Sequence, residues 1–582
     1  MGPRSAVIIN VSTPLGSDGK RSAAIRNAGF TSPTGPAGAP GPGNVLWNFH
    51  DATSLVIESS GFNGSILAPN AAVALTNCQV AGTVVAQSIN NSSAEVHSAP
   101  YHVPATPLAL AKQYIKHVVI IMQENRSFDN YFGTFPGANG IPTSGQDATN
   151  TKANCTLNPT SNTCACSVNA NGVYAPYHNA TVIEPNFPHY NSDFITDVKK
   201  TQGGQALEAA SFLTSACNTP PTLDGGHDTQ ADLQQALGYH TDAEIPNYWN
   251  LAKSFVLQDR MFASAPSYSP VEHTFMVSGW NASGCGTTAG CVEQVDYTYP
   301  ENGRFLWNDI TNLLVKDNVS WRFYLGESWD PGCNTAITSP KDCFKTSDKI
   351  AGFWNPYNQD SNQNSFQTVI DNQMTNCPVD QQPRQLGCVT NLKDFFIQAE
   401  KSDTSDGSSF PQVSWIVPGF NVSEHAGGSY PNNNINIKDG HAYVGSIITA
   451  IMNHRTLWET TAIFLSWDDW GGFYDHVQPP SPYAGSTYSY GFRVPGLLIT
   501  PWVKAGTIDN WQTLSHDAYL KLVEDIFLGK KRIGPTTGKV ATKDNRTAIQ
   551  QRDNAQNLGN LVTEFDFSHG PLAPISLQCT NP

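Results

Sequence analysis

The sequence predicts an α/β protein with a mostly parallel sheet covered on both faces, preceded by a small all-β domain. Three observations point there. Two short runs, His117–Met122 and Thr461–Trp467, are almost continuously apolar, as expected of strands buried on both faces. Between them Val444, Ile447, Ile448 and Ile451 follow the i, i+3, i+4, i+7 spacing of a helix with one apolar face. Ahead of both, residues 1–98 hold short β-type runs separated by Gly, Asn and Pro, which is the pattern of an all-β unit.

In chain order, the first runs are Val7–Val11, Ser54–Glu58, Gly64–Leu67 and Gly82–Val85, interrupted by the Gly/Pro/Ala-rich loop Ser32–Gly43. A small β-sandwich and a β-solenoid both fit them. Residues 99–111 carry three prolines and read as a linker. Residues 112–582 form the larger domain. There Val494–Ile499 adds a third strand run. Alternating strands and helices over this length imply a parallel sheet. Ligands bind such sheets beyond the carboxyl ends of the strands.

Composition supports a large packed protein: 582 residues, 39% hydrophobic and 14% charged, with 13 Trp, 20 Tyr and 27 Phe. The net charge of -15 disfavours general nucleic-acid binding. An anionic phosphate ester would need local compensation, which a cation could give. No run of roughly 18 apolar residues occurs, so no transmembrane segment is expected. The opening residues lack the apolar core of a signal peptide, so any export signal is expected to be missing from this chain. Twelve cysteines are present, with Cys285/Cys291, Cys333/Cys343 and Cys377/Cys388 closely paired and Cys155 near Cys164 and Cys166. Their loop-like gaps read as disulfides in an oxidising compartment, the alternatives being free thiols or a zinc site.

The strand ends carry the candidate chemistry. His117–Met122 runs into Glu124-Asn125, and Thr461–Trp467 into Asp468-Asp469 followed by Gly471-Gly472. Adjacent carboxylates beside an Asn and a Glu repel one another unless a hard divalent cation lies between them. A capping turn and a solvated loop are the plainer readings. Ser269-Pro270 precedes a plausible helix, Thr274–Trp280. Ser269 would then be its N-cap, facing the positive helix end that also favours phosphate. His273 falls one turn later on the same face. The bland alternative is a simple cap and a core imidazole.

A family resemblance sharpens these readings. The stretches Ile115–Val119, Glu124–Gly133, Ile245–Trp249, Asp259–Phe262, Ser423–His425, Ser466–Val477 and Gly491–Gly496 resemble the phosphoesterase family of bacterial phospholipases C and acid phosphatases. That resemblance implies an alkaline-phosphatase-like α/β/α sandwich and a hydrolase of phosphate esters. It implies metal ligation by Glu124, Asn125, Asp468 and Asp469, through one or more divalent ions (Ca, Mg, Mn or Zn). Ser269 would be the nucleophile, forming a phosphoseryl intermediate. His273, His425 and His476 would be catalytic. A further histidine would contact substrate: His189 is chosen, with His178, His227 and His240 as rivals. The family's Pro after the His425 position is Ala426 here. Residues 6–98 resemble a partial choice-of-anchor A domain, through Val45–Phe49, Gly64–Ala71 and Gly82–Ala86. The implied protein is secreted or on the cell surface. Its substrate would be a phospholipid or small phosphate ester, with possible peripheral contact at a membrane surface. A phosphomonoesterase, and an adhesion protein with a degenerate enzyme domain, are the alternatives.

Overall fold

The structure is a computed structural model. It describes residues 7–28, 44–99, 106–158, 163–200, 204–217, 233–283, 294–296, 304–326, 384–402, 410–427, 435–480, 490–535, 544–547, 552–554 and 557–579, and a few single residues and short stretches between 355 and 380. The chain divides into two compact units between Ala109 and Leu110.

In the first unit the named strands pair in parallel throughout. Val7–Asn10 lies beside Val45–Asn48, and Ser22–Arg26 beside Ser54–Glu58. Both ladders join the long strand Ser65–Thr76, which pairs on with Val84–Ser92. A sandwich joins neighbouring strands by antiparallel hairpins, so stacked parallel rungs mean the solenoid alternative. Alternate residues Leu55, Ile57, Ile66, Val73 and Leu75 point inward and are buried, the period-2 pattern of a half-buried strand. Pro69-Asn70 sits where the register shifts between Ala68 and Ala72. Proline cannot donate to the ladder, so the sequence pattern broke there while the strand continued.

Among the described residues, the second unit is built on an eight-stranded sheet. Its strands are β1 His117–Gln123, β2 Val256–Gln258, β3 Trp321–Leu325, β4 Gly387–Asn391, β5 Val413–Val417, β6 Thr461–Trp467, β7 Gly496–Ile499 and β8 Thr507–Asp509. The order is β4-β3-β5-β1-β6-β7-β2-β8. All neighbours are parallel except β7, which runs opposite to β6 and β2. The expected α/β class and the all-β N-terminal region are both present. Val118–Met122 are almost wholly buried. Each such side chain contributes roughly 1.5–3 kcal/mol to burial, so β1 anchors the sheet centre.

Four helices matter for the site: α1 Phe128–Phe132, α2 Ser269–Ser278, α3 Ile437–Met452 and α4 His516–Phe527. The Val444–Ile451 pattern falls inside α3. The N-cap of α2 is Tyr268, with extended dihedrals, and Ser269 is the first helical residue. The expected Ser269 cap is therefore corrected by one position, because Pro270 is accepted in the first turn either way. Among described residues, disulfides join Cys155–Cys166, Cys164–Cys217 and Cys377–Cys388. The antiparallel hairpin Ala153–Asn158/Thr163–Val168 sets Cys155 opposite Cys166. The Cys285/Cys291 and Cys333/Cys343 pairs lie outside the described residues. No helix among the described residues is long and apolar enough to cross a membrane.

Candidate active site

Sheet register brings the two acidic segments together. In the β1–β6 ladder Gln123 is opposite Trp467. The next residues, Glu124-Asn125 and Asp468-Asp469, therefore leave the same sheet end side by side. The Asp468 amide donates to the Gln123 carbonyl at 3.0 Å. The Asn125 amide donates to Asp468 Oδ1 at 2.7 Å. Asn125 adopts φ +59°, a left-handed conformation that Asn tolerates better than most residues. Gly471 must be glycine here: at φ +60° an added Cβ would lie 2.6 Å from the Asn125 carbonyl oxygen.

Helix α2 delivers the hydroxyl. Ser269 Oγ lies 3.2 Å from Asn125 Oδ1 and 3.3 Å from Asp469 Oδ2. One turn on, His273 Nε2 meets Glu124 Oε1 at 2.9 Å and lies 3.9 Å from Asp468 Oδ2. Glu272, from the same turn, reaches back to accept the Ser264 and Ala265 amides at 2.8 and 2.7 Å. It also meets His516 Nδ1 at 3.1 Å, and the other ring nitrogen of His516 lies 3.0 Å from the Trp467 carbonyl. Sequence reasoning gave Glu272 and His516 no role; only the folded contact reveals that they tie the start of α2 to the end of β6.

The other candidates divide. His189 Nε2 accepts from the Asn125 side-chain Nδ2 at 3.0 Å, while Nδ1 donates to the Phe187 carbonyl at 2.6 Å. The His425 ring centroid lies 6.1 Å from that of His189. Of the rivals, His178 pairs with Glu244, His240 with Glu184, and His227 lies outside the described residues. Ser269, His273, His189, Asn125, Glu124, Asp468 and Asp469 thus form one constellation with His425 beside it. His476 sits elsewhere. Its Nδ1 is 2.7 Å from Asp129 Oδ2 and its Nε2 3.4 Å from Asn139 Oδ1. It borders a cavity of about 430 Å³ shared with Asn139, Asp147 and Gln205.

Charge is the dominant feature of the main cluster. Glu124, Asp468 and Asp469 are fully buried. Burial, then the Asp468 charge, pushes Glu124 and Asp469 well above the ordinary carboxylate range. Burial also opposes ionisation of Asp468, but hydrogen bonding with Glu124 and the His273 charge hold it low. Burial brings His273 and His425 down to about 4. Three crowded carboxyls cannot all ionise unaided. With Glu124 ionised, no donor among the described residues reaches Glu124 Oε2 or Asp468 Oδ2, both buried. Donor atoms of Glu124, His273 and Asp468 lie within 4.8 Å of one another. This donor set fits a divalent cation, which would replace the protons and satisfy those oxygens.

A second group, Asp129, Asp475 and His476, has similar spacing but different electrostatics. Arg493 already bonds Asp129 Oδ1, Asp475 Oδ1 and Asp259 Oδ1 at 3.0, 3.0 and 2.9 Å. A buried guanidinium there does the neutralising that a metal would do.

Residues 115–528 match the model of the Phosphoesterase family. The chain belongs to the Phosphoesterase family. It is a hydrolase acting on phosphate ester bonds. Phosphoesterase relatives include Phospholipase C B of Mycobacterium tuberculosis, 24% identical over 483 residues and covering 78% of each chain. The Non-hemolytic phospholipase C of Burkholderia pseudomallei is 25% identical over 447 residues, spanning 71% of this chain and 55% of that one. A solved alkaline phosphatase superfamily protein of Vibrio parahaemolyticus aligns over 53% of this chain and 66% of its own, at 14% identity and TM-score 0.28; at that score it adds nothing to the fold drawn from the sheet itself. Residues 2–98 match a model described as a putative ice-binding-like adhesive domain. An adhesive-like match was expected of the N-terminal region and is found, under a description other than choice-of-anchor A.

Proposed function

We propose that this phosphoesterase is a secreted, metal-dependent phospholipase C-type phosphodiesterase with Ser269 as nucleophile. The observation that carries the reading is the Ser269 hydroxyl within 3.3 Å of both Asn125 and Asp469, beside buried carboxyl oxygens that no donor among the described residues satisfies. The phospholipase C relatives support the substrate class. Three disulfides support an oxidising compartment.

Glu124, Asn125, Asp468 and Asp469 are the proposed metal ligands, with His273 bonded behind Glu124. A divalent cation held there supplies Lewis-acid polarisation of a phosphoryl oxygen and lowers the pKa of a nearby hydroxyl. Asn125 and Asp469 orient the Ser269 oxygen. That oxygen attacks phosphorus in line, passing its proton to the Asp469 carboxylate 3.3 Å away, its bond to phosphorus forming as the bond to the leaving alcohol breaks. His189, fixed by Asn125 and the Phe187 carbonyl, borders the phosphoryl oxygens. His425 is the proposed acid for the leaving oxygen. Burial keeps it neutral, and an entering phosphate charge would draw a proton onto it. His476 is left out of this step because its bonds run to Asp129 and Asn139. Water then releases phosphorylated product from Ser269.

The test is to assay phosphatidylcholine and p-nitrophenyl phosphate with the full chain, before and after chelation. The expected result is phosphocholine release that chelator abolishes and metal restores. Ser269→Ala should lower turnover by at least about a thousandfold with an unchanged melting temperature. Turnover of the monoester alone would make the chain a phosphomonoesterase. Inactivity on both esters with metal restored would sink the reading.

A further inference from the structure

We infer that Glu424 is the positioning residue of this centre, a single buried carboxylate that locks the metal-ligand segments and the His425 segment into one geometry. The inference rests on the proposed metal site. Glu424 touches no proposed ligand. It acts on their neighbours.

Glu424 Oε2 accepts from the Trp467 indole at 3.0 Å and from the Tyr131 hydroxyl at 2.7 Å. Its Oε1 accepts from the Tyr248 hydroxyl at 2.5 Å. Its backbone carbonyl accepts from Arg126 at 2.7 Å. Trp467 directly precedes Asp468, Arg126 directly follows Asn125, and Glu424 itself precedes His425. One residue therefore fixes a chain neighbour of three site members. Backbone bonds stitch the same segments: the Glu124 amide donates to the Ser423 carbonyl at 3.0 Å, and the Gln123 side chain to the Val422 carbonyl at 3.0 Å.

Two further observations show that the fold is shaped around this side chain. Glu424 holds φ +70°, a conformation non-glycine residues adopt at a cost and keep where surrounding contacts enforce it. Gly440, in α3, leaves the space: a Cβ there would lie 2.2 Å from Glu424 Cγ and 2.3 Å from Oε1. A glycine inside a helix is destabilising relative to alanine, so its presence here follows from the close approach.

A carboxylate has acceptor sites for all three donors. Glutamine retains two acceptances on its carbonyl oxygen, and the Tyr248 hydroxyl can turn to accept from its amide. Alanine removes every one of these bonds. Partners that orient ligands from behind are typically worth 10–100-fold in metal affinity or activity.

The experiment uses the full chain stripped by chelator. Mn2+ binding is read by calorimetry, kcat and KM on p-nitrophenyl phosphorylcholine, and the melting temperature alongside. Glu424→Ala should weaken Mn2+ binding and lower kcat by roughly tenfold to hundredfold, with KM little changed. Glu424→Gln should recover most of both. Gly440→Ala guards against an Ala variant that fails to fold, because it favours the helix yet displaces the intact carboxylate. It should weaken Mn2+ binding in the same range. Wild-type Mn2+ affinity in folded Glu424→Ala or in Gly440→Ala would overturn the inference. So would a Gln variant as impaired as the Ala one, since charge and not the bonds would then matter. The two readings fail separately. A wild-type chain that binds Mn2+ but cleaves no ester loses the phospholipase reading and leaves the Mn2+ comparison intact. A wild-type chain that binds no Mn2+, Mg2+, Ca2+ or Zn2+ removes both.

Discussion

Arg493 bonds three carboxylates from three separate segments, Asp129, Asp259 and Asp475, and is fully buried. Its guanidinium also lies 4.3 Å from the Phe128 ring centroid. Burial costs the ion its hydration, and that cost is offset only while all partners are in place. Burial already pushes Asp475 up to about 6, so without Arg493 the cluster would have to take up protons or open. Arg493→Leu should therefore destabilise the fold by roughly 3–5 kcal/mol, read as a lower urea midpoint. Arg493→Lys should recover only part, because an ammonium cannot reproduce the three-way fork. A Leu variant as stable as wild type would show that these bonds contribute nothing net. The sequence held Asp129, Asp259, Asp475 and Arg493 in its recognisable stretches, yet gave no sign that they meet. Pairing of residues hundreds of positions apart has no local signature. The same is true of His189: its motif context is weak, and only the fold distinguishes it from His178 and His240 by its bond to Asn125. His476 shows the converse, a residue in a strong motif whose nearest partner is Asp129.

At the scale of elements, β1 and β6 were legible because both faces are covered, leaving unbroken apolar runs. The direction of β7 was not, since Val494–Ile499 reads equally well either way and the antiparallel pairing is set by tertiary contacts. The turn after β6 was legible in composition, in the Gly471-Gly472 pair that follows Asp468-Asp469, and both glycines adopt positive φ. What the sequence concealed was the surface that bend presses on. At Gly471 a methyl group would meet both the carbonyl oxygen and the Cβ of Asn125, at 2.6 and 2.7 Å. Gly471→Ala should displace Asn125 and lower turnover by up to about a hundredfold, the scale at which a misplacement near 1 Å is felt. Gly529→Ala is the matched control. Its φ of +61° is nearly the same, but among the described residues nothing lies within 4 Å of the added carbon. Both variants should lose about 1 kcal/mol of stability from left-handed strain, and Gly529→Ala should keep full turnover. Equal activity in the two would remove the Asn125 contact from the account.

For the whole molecule, burial lowers four imidazoles to about 4, and the two outside the candidate site, His117 and His441, should each make the fold less tolerant of acid. His117 begins β1, with Nδ1 2.9 Å from the Pro411 carbonyl. His441 lies in α3, and among the described residues its Nδ1 has no hydrogen-bond partner. Burial lowers both to about 4, against roughly 6.5 in an unfolded chain. Between those values the unfolded chain takes up a proton on each that the fold refuses. Stability from this source is therefore complete above about pH 6.5 and falls as pH drops toward about 4. Across that window each group could withdraw up to about 3 kcal/mol, a large share of the 5–15 kcal/mol typical of folded proteins. The loss should appear as a falling urea midpoint between pH 7 and pH 4.5. His117→Asn preserves a donor for the Pro411 carbonyl and removes the titration. Combined with His441→Gln, it should flatten that fall, even if the double variant begins less stable at pH 7. Carboxylates elsewhere also titrate in this range, so the decisive quantity is the difference between the wild-type and variant slopes. Parallel slopes would mean that neither histidine governs acid unfolding.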